Sequence, residues 1–233
     1  MRNVKNDLQK MIFRKKRTAI LISSLLAIFV IIKFTGVLST FNIVENTMAP
    51  DLMNNSSIVT TNLADPNLGN LIVFKSKRLP EPSIFRIVAK EGDTLRIENG
   101  TVYRNGKNID TNLSLVHTYA LPMTKIQELK NSKFFYDDFG LRRKINLDTV
   151  VVDAVDNLAT SLNLLRMTNS KDRTDSDIRK VYSQNWNKDN FGPLVIKKNK
   201  FFVLGDNRDN SYDSRFIGLI DKTEIIGIKI FQF

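Results

Sequence analysis

Cysteine is missing from all 233 residues, which excludes a thiol nucleophile, a disulfide and any cysteine-ligated metal site. Histidine occurs once, and a lone His117 in a stretch without other chemical signals reads as structural or solvated, not catalytic. The 10 glycines and 6 prolines form no long linker, and there is no internal repeat or low-complexity tract. The stiffest connector, Arg78-Leu79-Pro80-Glu81-Pro82-Ser83, reads as a loop before a strand that starts near Ile84. The acidic stretch Asp206-x-Arg208-x-Asn210 fails as a calcium loop, because an arginine stands at a ligand position and the sixth-position glycine is lacking. No metal and no cofactor are expected.

Long apolar runs are also scarce, and the one present is at the N-terminus. Arg2, Lys5, Lys10, Arg14, Lys15, Lys16 and Arg17 against Asp7 give the first 17 residues a net charge of +6, over half of the chain's +11. Thr18 to Ile32 then carries no charge, and Phe34 to Leu38 follows Lys33. Residues 18–38 therefore read as a transmembrane helix across about 30 Å of hydrocarbon, with Lys33 reaching to the outer interface. The basic segment 1–17 stays cytoplasmic and the remainder lies outside the plasma membrane. A cleaved signal peptide ending at Val37-x-Ser39 is the competing reading. With so much of the positive charge beside this segment, the exported part is only mildly basic and no nucleic-acid partner is expected.

The fold class reads as mainly β. Ile58–Thr61, Leu71–Phe74, Ile84–Val88, Leu95–Ile97, Val102–Tyr103, Phe201–Leu204 and Ile225–Phe231 are short apolar segments punctuated by turns such as Asn99-Gly100 and Asn105-Gly106. They predict antiparallel strands and hairpins in an antiparallel sheet or barrel-like core, residues 39–112 and 191–233. Residues 113–190 read as a partly helical insertion, a mixed α/β cap. Val151, Val155, Leu158, Leu162 and Leu165 recur at helical spacing, Thr124-x-x-Gln127 has the form of a capping box, and Thr174-x-x-Asp177 is a weaker helix start.

The densest polar stretch, Gly205 to Arg215, follows directly on the apolar Phe201–Leu204. Ordering it costs roughly 1–2 kcal/mol per residue in backbone entropy, so it reads either as a site with a buried polar network or as a solvated hairpin turn. Gly-Asp-Asn-Arg-Asp-Asn-Ser-x-Asp-Ser-Arg-x-x-Gly, ending at Gly218, resembles the last signature box of the bacterial type I signal peptidases. Thr47-Met48-Ala49-Pro50-Asp51-Leu52 is similar to the family's Ser-Met-x-Pro-Thr-Leu, Gly69–Phe74 to Gly-Asp-Ile-Val-Val-Phe, and Phe85–Leu95 to Lys-Arg-Val-Ile-Gly-x-Pro-Gly-Asp-Thr-Val. Val102–Lys107 extends the likeness, which covers residues 41–107 and 191–231.

That resemblance implies a serine nucleophile at position 47 and a lysine general base at position 85, yet the chain has Thr47 and Phe85. A dyad lysine serves as a base because burial lowers its pKa, and phenylalanine accepts no proton. Lys90 lies an odd number of positions from Phe85 and so on the opposite strand face, while Lys75 and Lys77 lie on another segment. The resemblance also implies that Ser211 bonds the lysine amine, and that Asp213 and Arg215 brace the site with Arg86 as a further partner. By the same resemblance Asp206 and Asn207 are expected to join Met48 and Pro50 in the cleft or its scaffold.

The implied function is handling of exported preproteins without peptide cleavage. Relatives lacking the dyad act in Gram-positive pilus assembly beside sortases, which implies pilin subunits and a sortase as partners. Two other readings stay open: an active signal peptidase using Thr47 with another base, and a structural membrane anchor whose insertion recruits a partner.

Overall fold

A computed structural model describes residues 2–132 and 141–233, with side chains described from Met11 onward apart from those of Lys33 and Leu141. Helix α1 (Arg2–Thr35) comes first, and Gly36, at φ +67°, ends it in the left-handed conformation that glycine adopts without penalty. The hydroxyls of Thr18, Ser23, Ser24 and Thr35 all donate to carbonyls three or four residues back, so the polar side chains of the apolar run are satisfied within the helix. Its Ile20, Leu21, Leu25, Phe29 and Ile31 are exposed.

The expected span 18–38 is shortened by the fold. The helix stops at Thr35, the chain turns, and a strand begins at Ser39. Among the described residues no helix is long and apolar enough to cross a membrane. The uncharged stretch Thr18–Ile32 gives about 22 Å of helix where about 30 Å of hydrocarbon must be crossed. The side chains of Arg2, Lys5 and Lys10 in the basic segment, and that of Lys33, lie outside the described residues, as do residues 133–140 of the expected insertion.

The strands follow in order: β1 (Ser39–Asn42), β2 (Ser57–Thr61), β3 (Leu71–Phe74), β4 (Ser83–Lys90), β5 (Thr94–Glu98), β6 (Thr101–Arg104), β7 (Lys107–Asn108) and β8 (Val116–Pro122). Then come α2 (Ile126–Lys130), β9 (Leu141–Lys144), β10 (Thr149–Val155), α3 (Asp156–Ser161), β11 (Leu165–Arg166) and α4 (Ser176–Tyr182). The chain ends with β12 (Phe191–Val195), β13 (Lys200–Leu204), α5 (Ser214–Ile217), β14 (Ile220–Asp221) and β15 (Ile225–Gln232). The described strands form a seven-stranded sheet, β1-β2-β15-β3-β4-β13-β14, and two four-stranded sheets, β12-β5-β6-β7 and β11-β8-β10-β9. Every pairing between named strands is antiparallel, as the alternating short segments predict. Both Asn-Gly turns have positive φ at each residue, +48° and +76° at Asn99-Gly100 and +51° and +79° at Asn105-Gly106, the conformation that matches hairpin twist.

β13 shows how two cores share one sheet. Phe201 and Val203 face a cluster with Met48, Leu52, Ile72, Phe74, Phe85 and Ile228, while Phe202 and Leu204 face a second with Val88, Leu95, Val102, Ile178 and Phe191. The Phe191 and Phe202 rings meet at 5.5 Å, and each such buried side chain contributes about 1.5–3 kcal/mol.

The middle of the chain departs from its helical reading. Val151 and Val155 lie in β10, only Leu158 is on a helix, and Leu165 is in β11. Thr149–Val155 is rich in β-branched side chains and buried on both faces, so the pattern lacks the period of two that marks a half-exposed strand. The Thr124-x-x-Gln127 pattern caps nothing, since α2 starts after Lys125 without a side-chain cap. Near Thr174 the cap is Asp175, whose carboxylate accepts from the backbone N–H groups of Asp177 and Ile178.

Candidate functional site

Thr47 sits in the turn between β1 and β2, half-buried, with Met48 and Ala49 fully buried behind it. Two anchors fix that turn. Met48 and Leu52 enter the main core, and Ala49 packs with Val116 and Val155, tying the turn to the sheet of β8 and β10. From below, Asn207 N–H donates to the Thr47 carbonyl at 3.0 Å, and Asn207 Nδ2 donates to the Asn46 carbonyl at 3.1 Å. The Ser211 hydroxyl lies 3.0 Å from the same Thr47 oxygen. No hydrogen bond to the Thr47 hydroxyl is found among the described residues.

A cleft of about 330 Å³ brings Thr47 and Phe85 together. One wall is Phe41 to Glu45, the other Leu79 to Phe85, and Tyr212 and Val73 complete the lining. No lysine, arginine or histidine lines it among the described residues. The Phe85 ring packs 5.9 Å from that of Phe74 and is buried, so an apolar group occupies the position where the resemblance implies a base. Lys90 instead donates to Asn67 Oδ1 at 2.9 Å, and the Arg78 guanidinium lies near Gly218 and does not line the cleft.

The same cleft exposes a strand edge. Ser83, Ile84 and Phe85 pair with β3 on one side, but β13 begins to pair with β4 only at Arg86. The outer edge of residues 83–85 is therefore without a strand partner among the described residues. Unpaired backbone N–H and C=O groups beside an apolar cleft suit an extended peptide.

The other expected residues separate by strand face. Met48 is core and does not line the cleft. Pro50, Arg86 and Asp206 line a polar recess of about 480 Å³ on the far side of β4. Arg86 does not join the Asp213 pair: it bonds Asp206 through Nε at 2.9 Å and Nη2 at 2.5 Å, Asp51 at 3.1 Å and the Gly69 carbonyl at 3.0 Å. Burial works against the Arg86 charge, but Asp206 and Asp51 outweigh it and hold its pKa above the usual arginine value.

Asp213 and Arg215 form a separate buried pair, Nη2 to Oδ2 at 2.8 Å and Nε to Oδ1 at 2.8 Å. Asp213 also accepts the Gly205 N–H at 3.1 Å, and Arg215 donates to the Arg208 carbonyl at 2.6 Å. The loop is thus a buried network, not a solvated turn. Arg208 pairs with Asp110 at 2.8 Å, and Lys188 pairs with Asp209 and Asp189. His117 is buried, its Nδ1 2.6 Å from Asp156 Oδ1, and burial holds its pKa below the ordinary histidine value despite Asp156. Sequence reasoning passed over Tyr212, Glu45 and Glu81 in the cleft. Glu81 lies in the proline-rich connector and Tyr212 in the polar loop, but neither pattern marks these side chains as facing a cavity, and Glu45 carries no signal.

Comparison with known proteins agrees with the motifs. The family model described as "Signal peptidase, peptidase S26" matches residues 15–233, and the chain belongs to that family. It is similar to a signal peptidase I of Buchnera aphidicola subsp. Schizaphis graminum, 29% identical over 195 residues, covering 74% of this chain and 54% of that protein. One of Aquifex aeolicus is 29% identical over 198 residues, covering 80% and 72%, and signal peptidase IB of Staphylococcus aureus is 24% identical over 225 residues, covering 94% and 91%. The chain thus spans about half the length of the Buchnera relative.

Proposed function

We propose that this chain is a signal-peptidase homologue that binds exported preproteins without cleaving them. The observation that carries this reading is the cleft itself, where Thr47 faces Phe85 and no basic side chain is present among the described lining residues. Acyl transfer from a peptide needs a base to take the nucleophile's proton, and losing the base or the nucleophile of such a pair costs on the order of 10^6 in turnover. Binding has no such requirement. The client lies extended between the two walls and adds to the open edge of Ser83–Phe85. Residues 39–112 and 191–233 act as the binding core, with 113–190 as a cap braced on the Thr47 turn through Val116 and Val155.

The basic flank of residues 1–17 and the uncharged run Thr18–Ile32 support a place at the plasma membrane, N-terminus cytoplasmic and β domain outside; this rests on the charge pattern, since the length of α1's apolar run falls short of the hydrocarbon thickness. The clients are exported preproteins, pilin subunits among them, and a sortase is the partner that the resemblance to dyad-lacking relatives implies. Incubating the full chain in detergent with a fluorescently labelled preprotein tests the reading: retention of intact preprotein is expected. Appearance of a mature-length product would overturn it in favour of a peptidase using Thr47.

A further inference from the structure

The cleft has an uneven charge. Its walls are apolar, from Phe41, Ile43 and Val44 on one side and Leu79, Pro80 and Pro82 on the other. Its charged side chains, among the described lining residues, are Glu45 and Glu81, one from each wall. Both are exposed, and neither carboxylate has a partner among the described residues. This negative pair is set in a chain of net charge +11, with Lys75, Lys77 and Arg78 close in sequence yet not lining the cleft. Tyr212, 49% exposed and stacked on Phe216 at 5.0 Å, presents an aromatic face in the same lining.

We infer that the occupant of the cleft is an extended segment with apolar residues and a lysine or arginine, whose cation is held between Glu45 and Glu81. This rests on the strand-addition reading above and adds the client's charge to it. Backbone pairing along Ser83–Phe85 is indifferent to side chains, so it supplies affinity, and the carboxylates supply choice. An ammonium or guanidinium also gains from the Tyr212 ring. An acidic segment meets like charge from both walls and is rejected.

The test uses the full chain in detergent and three fluorescent peptides of Val, Thr and Ala that differ at one position, Lys, Gln or Glu, with affinity read by polarisation. The Lys probe is expected to bind about 1.4-fold to fivefold tighter than the Gln probe at low ionic strength, the range for an exposed ion pair, with the Glu probe weakest. The Lys-to-Gln ratio falls toward one in about 1 M salt, where screening is strong, and in the double variant Glu45→Gln, Glu81→Gln. Equal binding of all three probes overturns this inference and leaves strand addition standing. A preference that survives the double variant overturns it as well, and binding of none of the probes overturns both.

Discussion

The Ser211 hydroxyl lies 3.0 Å from the carbonyl oxygen of Thr47 and 2.6 Å from that of Asn207, so it serves the backbone of the turn and not a catalytic amine. The loop that matches the family's last signature box has become the support of the turn opposite Phe85. Its polar residues are kept in place by burial: with Asp213 and Arg215 enclosed, the loop is needed by the fold itself.

Gly205→Ala tests how closely the loop and the turn approach. A methyl group there would lie 1.8 Å from Ser211 Oγ and 2.7 Å from the Thr47 carbonyl oxygen. The hydroxyl can rotate away, but Ser211 Cβ at 2.5 Å and the carbonyl cannot. A loss of about 1–3 kcal/mol or more in denaturant unfolding is expected, and adding Ser211→Ala should recover only part of it.

Asp213→Ala leaves the Arg215 guanidinium buried without its carboxylate and frees the Gly205 N–H. Removing one member of such a pair costs about 3–5 kcal/mol, read as a lower denaturation midpoint. Replacing the pair by apolar residues of similar volume should cost less than either single change.

Restoring the dyad, Thr47→Ser with Phe85→Lys, should produce detectable cleavage of a preprotein by mass spectrometry, because burial at position 85 would lower the new amine's pKa. Each single change should remain inactive, since nucleophile and base act as a unit. Cleavage by the unaltered chain would contradict the assignment of Phe85 as the lost base position.

His117 sets a pH dependence of known sign. Its folded pKa is depressed by burial, against Asp156, with Arg166 and Arg208 adding to the depression. Below about 6.5 the unfolded chain takes up a proton that the folded chain resists, so this contribution is present at neutral pH and lost as pH falls. Relative to His117→Gln, the native chain should lose stability with a slope of at most about 1.4 kcal/mol per pH unit in that window. A constant difference between the two proteins from neutral to mildly acid pH would refute it.

Much of the β core was legible, because short apolar segments bounded by turn residues stand out even when buried on both faces, as β3 and β13 are, and an Asn-Gly hairpin announces itself locally. Leu71–Phe74 coincides with β3, and the other predicted core strands fall within the observed ones. The middle was not, because β10 runs into α3 with no turn residue between them, so that Val151 and Val155 of the strand fall at helical spacing with Leu158 of the helix. The cleft was half legible: motif positions pointed to Thr47 and Phe85, but nothing local marks Glu45, Glu81 or Tyr212 as facing one cavity.

The sequence alone determined that position 85 carries no proton acceptor, since the benzyl group of Phe85 has no lone pair in any conformation. Tertiary structure decided where the remaining polar groups go: Arg86 to Asp206 and Asp51, Arg215 to Asp213, Ser211 to a backbone carbonyl. The reason is that side-chain identity is a covalent fact, whereas partners are chosen by strand register and burial, which bring together residues more than a hundred positions apart, as with Arg86 and Asp206.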